Sequence, residues 1–473
     1  MNQIHLKTSI KIVLALIFSS TSFVNAAIYY SRASGNWNST ATWSTTAYGG
    51  AAAATTPGTG AGDVVLISGY TITVTASPVN AIGSIVVTQS NNTGNDTKLL
   101  LNTSGITLRC NTFTVNDNNL GDDIDIEIAQ GTLQVNGNAV FVRTTSNNQN
   151  ENLRLYIRNT GRMNVTGNLS YSLNRAQNNQ SAGNEIQIED AGRLDVTGNF
   201  TVTVGNTNGN SSRFDLVMNN SAILNVGGNA SFTVSNSDDG DDLHIDINGG
   251  AFSVTGTLTG TIAASATTGS SLHFYVDGST VTTGALSFVQ SGGGSGDMDI
   301  MLNASSTVSA TTFTVNGSLT FTHNDGDNME LEINRNATLT ILLDLSIDLF
   351  TSSDGDNVYL DINEGTLNAV NGNFTISGGA SNSNFFYFNM DGGTAAFSGN
   401  IIFIQNGGGG TGDMNLHLNK NSTTNPSLLT ILGDLTFSHT GGDNYEIEVN
   451  NNTTLTVSGS LINTLESNDG DDF

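Results

Sequence analysis

The sequence is poor in positive charge, cysteine and long apolar segments. Of its 473 residues only 14 are Lys or Arg, against 41 Asp or Glu, and the formal net charge is -27. Phosphate groups are bound by clustered cations, so the composition argues against nucleic acid and anionic bilayers as partners and favours cations and neutral sugars. The single cysteine, Cys110, excludes an intrachain disulfide framework and is predicted to be a small buried hydrophobe.

Residues typical of helices are also scarce. Only 3 residues are Pro and 12% are charged, whereas 54 are Gly, and Asn and Thr are frequent. This composition favours strands joined by turns, and a hydrophobic fraction of 37% is enough to fill a core. We therefore predict an all-β protein.

Residues 1–26 have the pattern of a signal peptide. Lys7 and Lys11 precede the apolar run Ile12–Phe18, and Val24-Asn25-Ala26 fits the small-residue rule for cleavage. We expect the mature chain to begin near Ala27 and to be secreted or held at the cell surface. No later stretch approaches the roughly 20 apolar residues of a membrane-spanning helix, so no transmembrane span is predicted.

One phrase, an acidic turn followed by an alternating polar and apolar strand, recurs along the chain. It is SDDGDDLHIDINGG at residues 237–250 and SSDGDNVYLDINEG at residues 352–365. Its copies start near Gly62 and Gly94 and continue from Gly121 to Gly470, where 349 residues divide into 12 intervals of about 29. Such a period indicates a stacked repeat architecture.

A glycine separates two further alternating stretches in most units, as in GRLDVTGNFTVTV. Alternation predicts strands with one buried face, and a glycine at a fixed place between them predicts a corner with a positive φ or a close approach of backbones. Each unit is thus predicted to be three short strands around a triangular coil. Roughly 14 coils should stack as a parallel β-helix. The corner glycines are Gly137, Gly167, Gly198, Gly228, Gly256, Gly372 and Gly459.

A longer period indicates that four coils were duplicated as a block. Gly326 and Gly442 are 116 residues apart, and so are His323 and His439. We expect residues 27–61 to form an N-terminal cap and residues 62–473 the β-helix. Because the sequence stops where a new strand should begin, we expect the protein to continue beyond it to a C-terminal cap.

The coil pattern over residues 62–473 resembles the pectin-lyase-like right-handed parallel β-helix. The segment IYYSRASGNWNSTATWS followed by GTGAGDVVLISGYTITVTA resembles the start of secreted surface proteins of Bacteroidota. That resemblance implies an adhesin-like β-helical passenger and export by the type IX secretion system. Enzymes of the resembled fold place their carbohydrate clefts on the outer face of the first strand.

Alternate residues of each first strand should form that outer face, among them Gln187 and Glu189. Its best chemical cluster is predicted to be His244, Asp246, His273 and Asp277, because an imidazole beside carboxylates suits general acid/base catalysis. The alternatives are a solvated polar face and a sugar-binding surface. The predicted ligand-binding residues are Tyr156, His244, Asp246, His273, Tyr275, Tyr359 and Tyr387.

The acidic turns have two readings. Asp, Asn and Gly are ordinary residues of tight turns, but carboxylates stacked about 5 Å apart repel one another unless water or a cation lies between them. Calcium favours such oxygen-rich loops. The predicted Ca²⁺ ligands are Asp297, Asp327, Asp356, Asp413, Asp443 and Asp471.

The expected function is that of a secreted or cell-surface β-solenoid that serves as an adhesin-like or spacer module without catalysis. A uronate lyase needs Lys or Arg to bind its acidic substrate, and the outer face has almost none. The alternative is a polysaccharide-active, pectin-lyase-like enzyme that uses the His244 to Asp277 cluster. An ice-binding solenoid would need a regular Thr ladder, which SYSL and IIFI interrupt.

Overall fold

The computed structural model describes the chain as a parallel β-solenoid, with 66% of residues in strands and 1% in helix. This confirms the predicted all-β class. The described residues are 26–89, 96–117, 123–144, 152–174, 183–205, 212–235, 241–264, 266, 269–292, 296–305, 309–325, 327–349, 357–378, 385–405, 413–420, 424–439 and 445–465.

The described residues form forty strands and one short 3₁₀ helix, Thr40–Thr42. The strands are β1 (Ile28–Ser31), β2 (Gly35–Asn36), β3 (Trp43–Ser44), β4 (Val64–Ser68), β5 (Thr71–Val74), β6 (Ile82–Thr88), β7 (Thr97–Asp117), β8 (Ile124–Val135), β9 (Ala139–Arg143), β10 (Leu153–Ile157), β11 (Arg162–Val165), β12 (Leu169–Asn174), β13 (Asn184–Ile188), β14 (Arg193–Val196), β15 (Phe200–Gly205), β16 (Arg213–Asn219), β17 (Ile223–Val226), β18 (Ala230–Ser235), β19 (Asp242–Asn248), β20 (Ala251–Ile262), β21 (Ser271–Asp277), β22 (Thr280–Ser291), β23 (Met298–Leu302), β24 (Thr311–Val315), β25 (Leu319–Asp325), β26 (Met329–Asn334), β27 (Ala337–Ile341), β28 (Leu345–Leu349), β29 (Asn357–Asn363), β30 (Thr366–Ala369), β31 (Phe374–Gly378), β32 (Phe385–Met390), β33 (Gly393–Phe397), β34 (Ile401–Gln405), β35 (Met414–Leu418), β36 (Ser427–Ile431), β37 (Leu435–His439), β38 (Tyr445–Val449), β39 (Thr453–Val457) and β40 (Leu461–Leu465).

The strands stack in three columns, because each strand pairs in parallel with the strand one turn later. The first column contains β10, β13, β16, β19, β21, β23, β26, β29, β32, β35 and β38. The second column runs from β11 through β14 and β17 to β39, and the third from β12 through β15 and β18 to β40. The strands β7, β8, β20 and β22 continue around a corner and so belong to more than one column.

Between β8 and β38 the chain completes about 11 turns of about 29 residues. The predicted parallel β-solenoid and its period are confirmed, and the parallel stacking continues below β8 through β7, β6 and β4. The phrase near Gly62 is not a first strand, since β4 stacks between β1 and β6, below the third column. The phrase near Gly470 lies outside the described residues.

The core is the inside of the coil, filled by every second side chain of each strand. Burial alternates along the strands, as in β10, where Leu153, Leu155 and Ile157 are buried. Aromatic rings stack on one another between turns, for example Phe403 on Phe437 with centroids 4.8 Å apart. Such contacts add to the burial of apolar area that stabilises the coil.

Cys110 lies in this core, as predicted. Its side chain is fully buried on β7, between Ile82 of the turn below and Val135 of the turn above. Burial raises the pKa of the thiol to about 12, because the thiolate would be desolvated. Cys110 is therefore a packing residue.

The corner between the first and second strands is made by residues with a positive φ. Asn159, Asn220 and Asn336 have φ values of 54°, 62° and 63°. Asn tolerates this left-handed conformation because its short side chain forms local hydrogen bonds. The positive φ predicted for the corner glycines belongs to this corner instead.

The corner glycines between the second and third strands are required by close approach. The amide N–H of Gly198 donates to Gly167 O at 3.0 Å, and a Cβ on Gly198 would lie 2.7 Å from that oxygen. Gly228 repeats the contact with Gly198 at 2.9 Å. A side chain cannot fit between backbones this close.

The residue after each of these glycines forms a ladder of side-chain to backbone hydrogen bonds. The Oδ1 atom of Asn168 accepts from the backbone N–H of Asn199 at 2.8 Å, and Oδ1 of Asn199 accepts from Asn229 at 2.9 Å. Aspartate takes the same role later, where Asp344 accepts from Asn373 at 2.9 Å. The ladder therefore needs a short side-chain oxygen and does not need a charge.

We predict that Asn199→Ala lowers the stability of the fold by about 1 kcal/mol, the net value of one hydrogen bond. Asn199→Asp should be close to wild type, because an Asp oxygen serves in the same position at Asp344. The check is the urea concentration at the midpoint of unfolding, measured by circular dichroism. An equal loss in both variants would show that the side-chain oxygen is not what matters.

Candidate functional site

The first column presents a polar outer face. Its alternate residues point away from the core and are half-buried by their neighbours, as with Arg154 and Tyr156 on β10. The register pairs Arg154 with Glu185 and Tyr156 with Gln187. The outer-face residues of β13 are therefore Glu185 and Gln187. The prediction of Gln187 and Glu189 was wrong, because Glu189 follows the strand at the corner.

Two histidines of the predicted cluster stack on adjacent turns. The rings of His244 and His273 are 4.6 Å apart with an interplanar angle of 36°. His273 Nδ1 lies 2.9 Å from Asp299 Oδ2 and 3.1 Å from the Tyr275 hydroxyl. Asp299, on the next turn, joins the cluster because the register pairs it with His273.

His244 is a neutral imidazole at physiological pH. Its pKa is lowered to about 3, first by burial and then by the neighbouring Arg213 and His273. A charged ring is unfavourable where water is excluded and a guanidinium lies nearby. His244 can therefore accept a proton or a hydrogen bond, but it carries no positive charge for an acidic sugar.

The two predicted carboxylates of this cluster have different surroundings. Asp246 is paired with Tyr275, and burial raises the pKa of its carboxyl, as does the charge of Asp215. Asp277 lies at the end of β21, only 9% exposed, and its Oδ1 accepts from the backbone N–H of Ser305 at 3.2 Å. The structure thus places His244 beside His273, while Asp277 caps a turn.

Two of the predicted aromatic ligands form a stack further along the face. The rings of Tyr359 and Tyr387 are 5.1 Å apart and within 10° of parallel. Phe385 lies 6.1 Å from Tyr387 at an angle of 16° and extends the stack along β32. The sequence reasoning did not include Phe385, although it stands two residues before Tyr387 and so faces the same side.

Tyr156 is remote from that stack and is engaged by its neighbours. The guanidinium of Arg154 lies 5.4 Å from the centre of its ring. Its hydroxyl donates to Glu185 Oε1 at 2.5 Å. Both the face and the polar end of this side chain are therefore occupied within the protein.

A group of carboxylates lies between the histidine pair and the tyrosine stack. The pKa of Glu330 is raised to about 7, first by burial and then by the charges of Asp361, Glu332 and Asp299. The pKa of Asp361 is raised to about 6, mainly by burial and against a hydrogen bond from Asn389. These carboxyl groups therefore lose their protons at a higher pH than ordinary Glu and Asp side chains, a feature that only the register of the turns reveals.

These pKa shifts predict that the fold loses stability as pH rises. A carboxyl whose pKa is raised on folding favours the folded state when protonated, so its contribution is complete below the unfolded value near 4 and is lost through pH 6 to 7. The measurement is the urea concentration at the midpoint of unfolding. Between pH 5 and pH 8 we expect this midpoint to fall less in Glu330→Gln than in wild type.

The matched control for Glu330→Gln is Glu446→Gln, which removes the same charge one block later on a side chain that is 58% exposed. It should retain the pH dependence of wild type. A Glu330→Gln variant whose midpoint falls with pH as steeply as wild type would contradict the assignment.

The acidic turns are described only in part, and there their carboxylates bind backbone groups of the neighbouring turn. Asp123 Oδ1 accepts from the backbone N–H of Asn152 at 2.8 Å, and Asp241 Oδ1 accepts from Ser212 at 2.5 Å. These contacts support the reading of the acidic turn as a structural element. They do not involve the predicted calcium ligands.

Of the six predicted calcium ligands, three are described. Burial raises the pKa of Asp297, and so do the charges of Asp299 and Asp327. The Oδ1 atom of Asp297 is buried and has no hydrogen-bond partner among the described residues. Asp413 lies near Tyr387, whose pKa is raised first by burial and then by the charge of Asp413. The remaining ligands, Asp356, Asp443 and Asp471, lie outside the described residues.

If calcium binds between Asp297 and Asp327, millimolar Ca²⁺ should raise the melting temperature and a chelator should lower it. Binding to the folded state alone stabilises by about 2.7 kcal/mol at 100 times the dissociation constant. Asp327→Asn should weaken this response. Asp344→Asn is the control, because it removes one charge from the asparagine ladder instead, and a response equal in both variants would contradict the site.

A separate group of side chains that could hold a metal ion occurs near the last described turn. The ligand atoms of His417, Glu446 and Glu448 all lie within 4.8 Å of one another. Within the described ranges, no second group of three or more His, Cys, Asp or Glu side chains meets this distance criterion. The sequence analysis did not single out these three residues.

Three cations of the face are held by carboxylates of the same face. Each pair joins a Lys or Arg to an acidic residue on the same or the neighbouring turn, which neutralises the charge locally. The pairs are Lys98–Glu127, Arg154–Asp125 and Arg213–Asp215.

The chain has no match among protein-family profiles, curated proteins or solved structures. Among the described residues, no helix is long and apolar enough to cross a membrane.

Proposed function

We propose that the protein is a secreted or cell-surface, adhesin-like β-solenoid that binds neutral glycans through its first-strand face without catalysis. The observation that carries the proposal is the stack of Tyr359, Tyr387 and Phe385 beside carboxylates. Aromatic rings supply rigid apolar area for the C–H face of a sugar. Carboxylate and amide oxygens accept hydrogen bonds from sugar hydroxyls.

The groups around the tyrosine stack are acceptors of hydrogen bonds. The pKa of Tyr359 is raised by burial, by Tyr387 and by the carboxylates Asp361, Glu330 and Asp327. The side chain of Asn389 lies on the same strand as Tyr387 and donates to Asp361 at 2.8 Å. An uncharged polyol fits this environment, because it brings donors and no negative charge.

Acidic glycans fit the face poorly. The chain carries a net charge of -27, and the cations Lys98, Arg154 and Arg213 are paired with carboxylates. A uronate would be repelled, and no guanidinium of these pairs is available without breaking an ion pair. We therefore propose that neutral polysaccharides bind to this face in preference to pectin or alginate.

The proposed location rests on residues 1–26, whose charged start, apolar run and small-residue end favour export. The resemblance of the following segment to secreted surface proteins of Bacteroidota supports a passenger role on a cell surface. A stacked coil of about 29 residues per turn suits such a role, since it is a rod that presents one face repeatedly.

The test is depletion of the purified chain by insoluble cellulose or xylan, compared with calcium-free beads of covalently cross-linked pectate and alginate. We expect binding to the neutral polymers, and Tyr387→Ala should weaken it about fivefold, equal to about 1 kcal/mol for one lost stacking contact. Tyr156→Ala is the matched control, since that ring is already covered by Arg154, and it should bind as wild type.

Two outcomes would contradict the proposal. Stronger binding to pectate than to xylan would show that the face selects negative charge. Release of reducing ends that is lost in His244→Ala or His273→Ala would instead support the catalytic alternative, a β-helix enzyme that uses the histidine pair as base and acid.

A further inference from the structure

A buried imidazole and two glutamates converge on the outer face of the last two first-column strands, β35 and β38. The register places His417 directly beside Glu448, and Glu446 is two residues earlier on the same face of β38. The ligand atoms of the three side chains lie within 4.8 Å of one another. Two carboxylates this close repel each other unless a cation or proton lies between them.

The hydrogen bonds behind His417 determine which ring nitrogen carries the lone pair. Asn389 Nδ2 donates to Asp361 Oδ1 at 2.8 Å, so its Oδ1 faces His417. His417 Nδ1 lies 3.0 Å from that oxygen and therefore carries the proton. A metal-binding histidine commonly donates its other N–H in this way, which fixes the ring and its tautomer.

The remaining nitrogen, Nε2, points into the glutamate pair. It is 3.5 Å from Glu446 Oε2, too long for a strong hydrogen bond, and the His417 side chain is only 2% exposed. Among the described residues, no other group is recorded within hydrogen-bond distance of Nε2. A buried lone pair aimed at two carboxylates calls for a proton or a metal ion between them, and this distinguishes the group from an ordinary acidic surface.

The surrounding charges leave room for a divalent ion. Glu446 is 58% exposed, so an ion has a path from solvent. Glu448 Oε1 accepts from Asn450 Nδ2 at 2.9 Å, which positions its carboxylate. The ammonium group of Lys420 lies 3.5 Å from Nδ1 and cannot donate to that nitrogen while it carries the proton, so it does not occupy the lone pair of Nε2.

We propose that His417, Glu446 and Glu448 form a site for a transition-metal ion, with Zn²⁺ as the first candidate. An imidazole with two carboxylates suits zinc better than calcium or magnesium, which prefer oxygen ligands alone. Zinc with ligands at about 2.0–2.1 Å holds them about 3.3 Å apart. The exposed glutamate can close the remaining distance, and solvent would complete the coordination sphere.

The duplicated block provides an internal comparison. One block earlier, Glu330 and Glu332 stand where Glu446 and Glu448 stand, on the strand paired with β23. The residue in the place of His417 is Met301, which is paired with Glu332. The two sites share their glutamates and differ at the histidine, so the chain should bind one zinc ion and not two.

The experiment is isothermal titration of the metal-stripped full chain with ZnCl₂. We expect one saturable site, weakened about 100-fold or more in His417→Gln and about 10-fold or more in Glu448→Gln. The second variant keeps the buried histidine, so it reports on the site even if His417→Gln folds poorly. A zinc-dependent rise in melting temperature should disappear with the binding.

Two control variants separate the site from other ligands of the same face. His273→Gln removes a histidine from the same column, and the double variant Glu330→Gln/Glu332→Gln removes the counterpart glutamates. Both should bind zinc as wild type. The proposal is overturned if zinc does not bind saturably, if binding survives in both His417→Gln and Glu448→Gln, or if it is lost in either control.

Discussion

The structure depends on parallel hydrogen bonding in register between successive turns. Each strand pairs with its equivalent about 29 residues later, so a side chain always meets the side chain at the same position of the next turn. The asparagine ladder enforces this register at the corner between the second and third strands, where the glycine backbones are in contact. The histidine pair, the tyrosine stack and the ion pairs between turns are all consequences of this constraint.

Much of the fold was predictable, because residues close together in the sequence are enough to reveal the repeated strand pairing. The period, the alternation and the glycine of one corner follow from spacing and from steric arguments. The phrase near Gly62 was misplaced because its strand reads like a first strand, and only its pairing with β1 and β6 reveals another position. Glu189 was misplaced because turns differ by a residue or two in length, so alternation alone does not determine the register.

The positions of the candidate sites were predictable, but the burial and protonation of their side chains were not. His244 and His273 fall together as soon as the turns are aligned. The burial of Asp277 depends on the backbone of Ser305, which belongs to the following turn. The protonation of Glu330 depends on carboxylates from three turns. Such properties arise from what neighbouring turns place over a side chain, and a pattern within one turn does not contain them.

The lone thiol gives the molecule a reporter of its own local opening. Thiol reagents attack the thiolate, and the Cys110 thiol is buried with a raised pKa. In a solenoid each turn contacts only its neighbours, so parts of it open separately. Alkylation of Cys110 would thus measure the fraying of the turns formed by β6, β7 and β8, independently of the turns that carry the histidines and tyrosines.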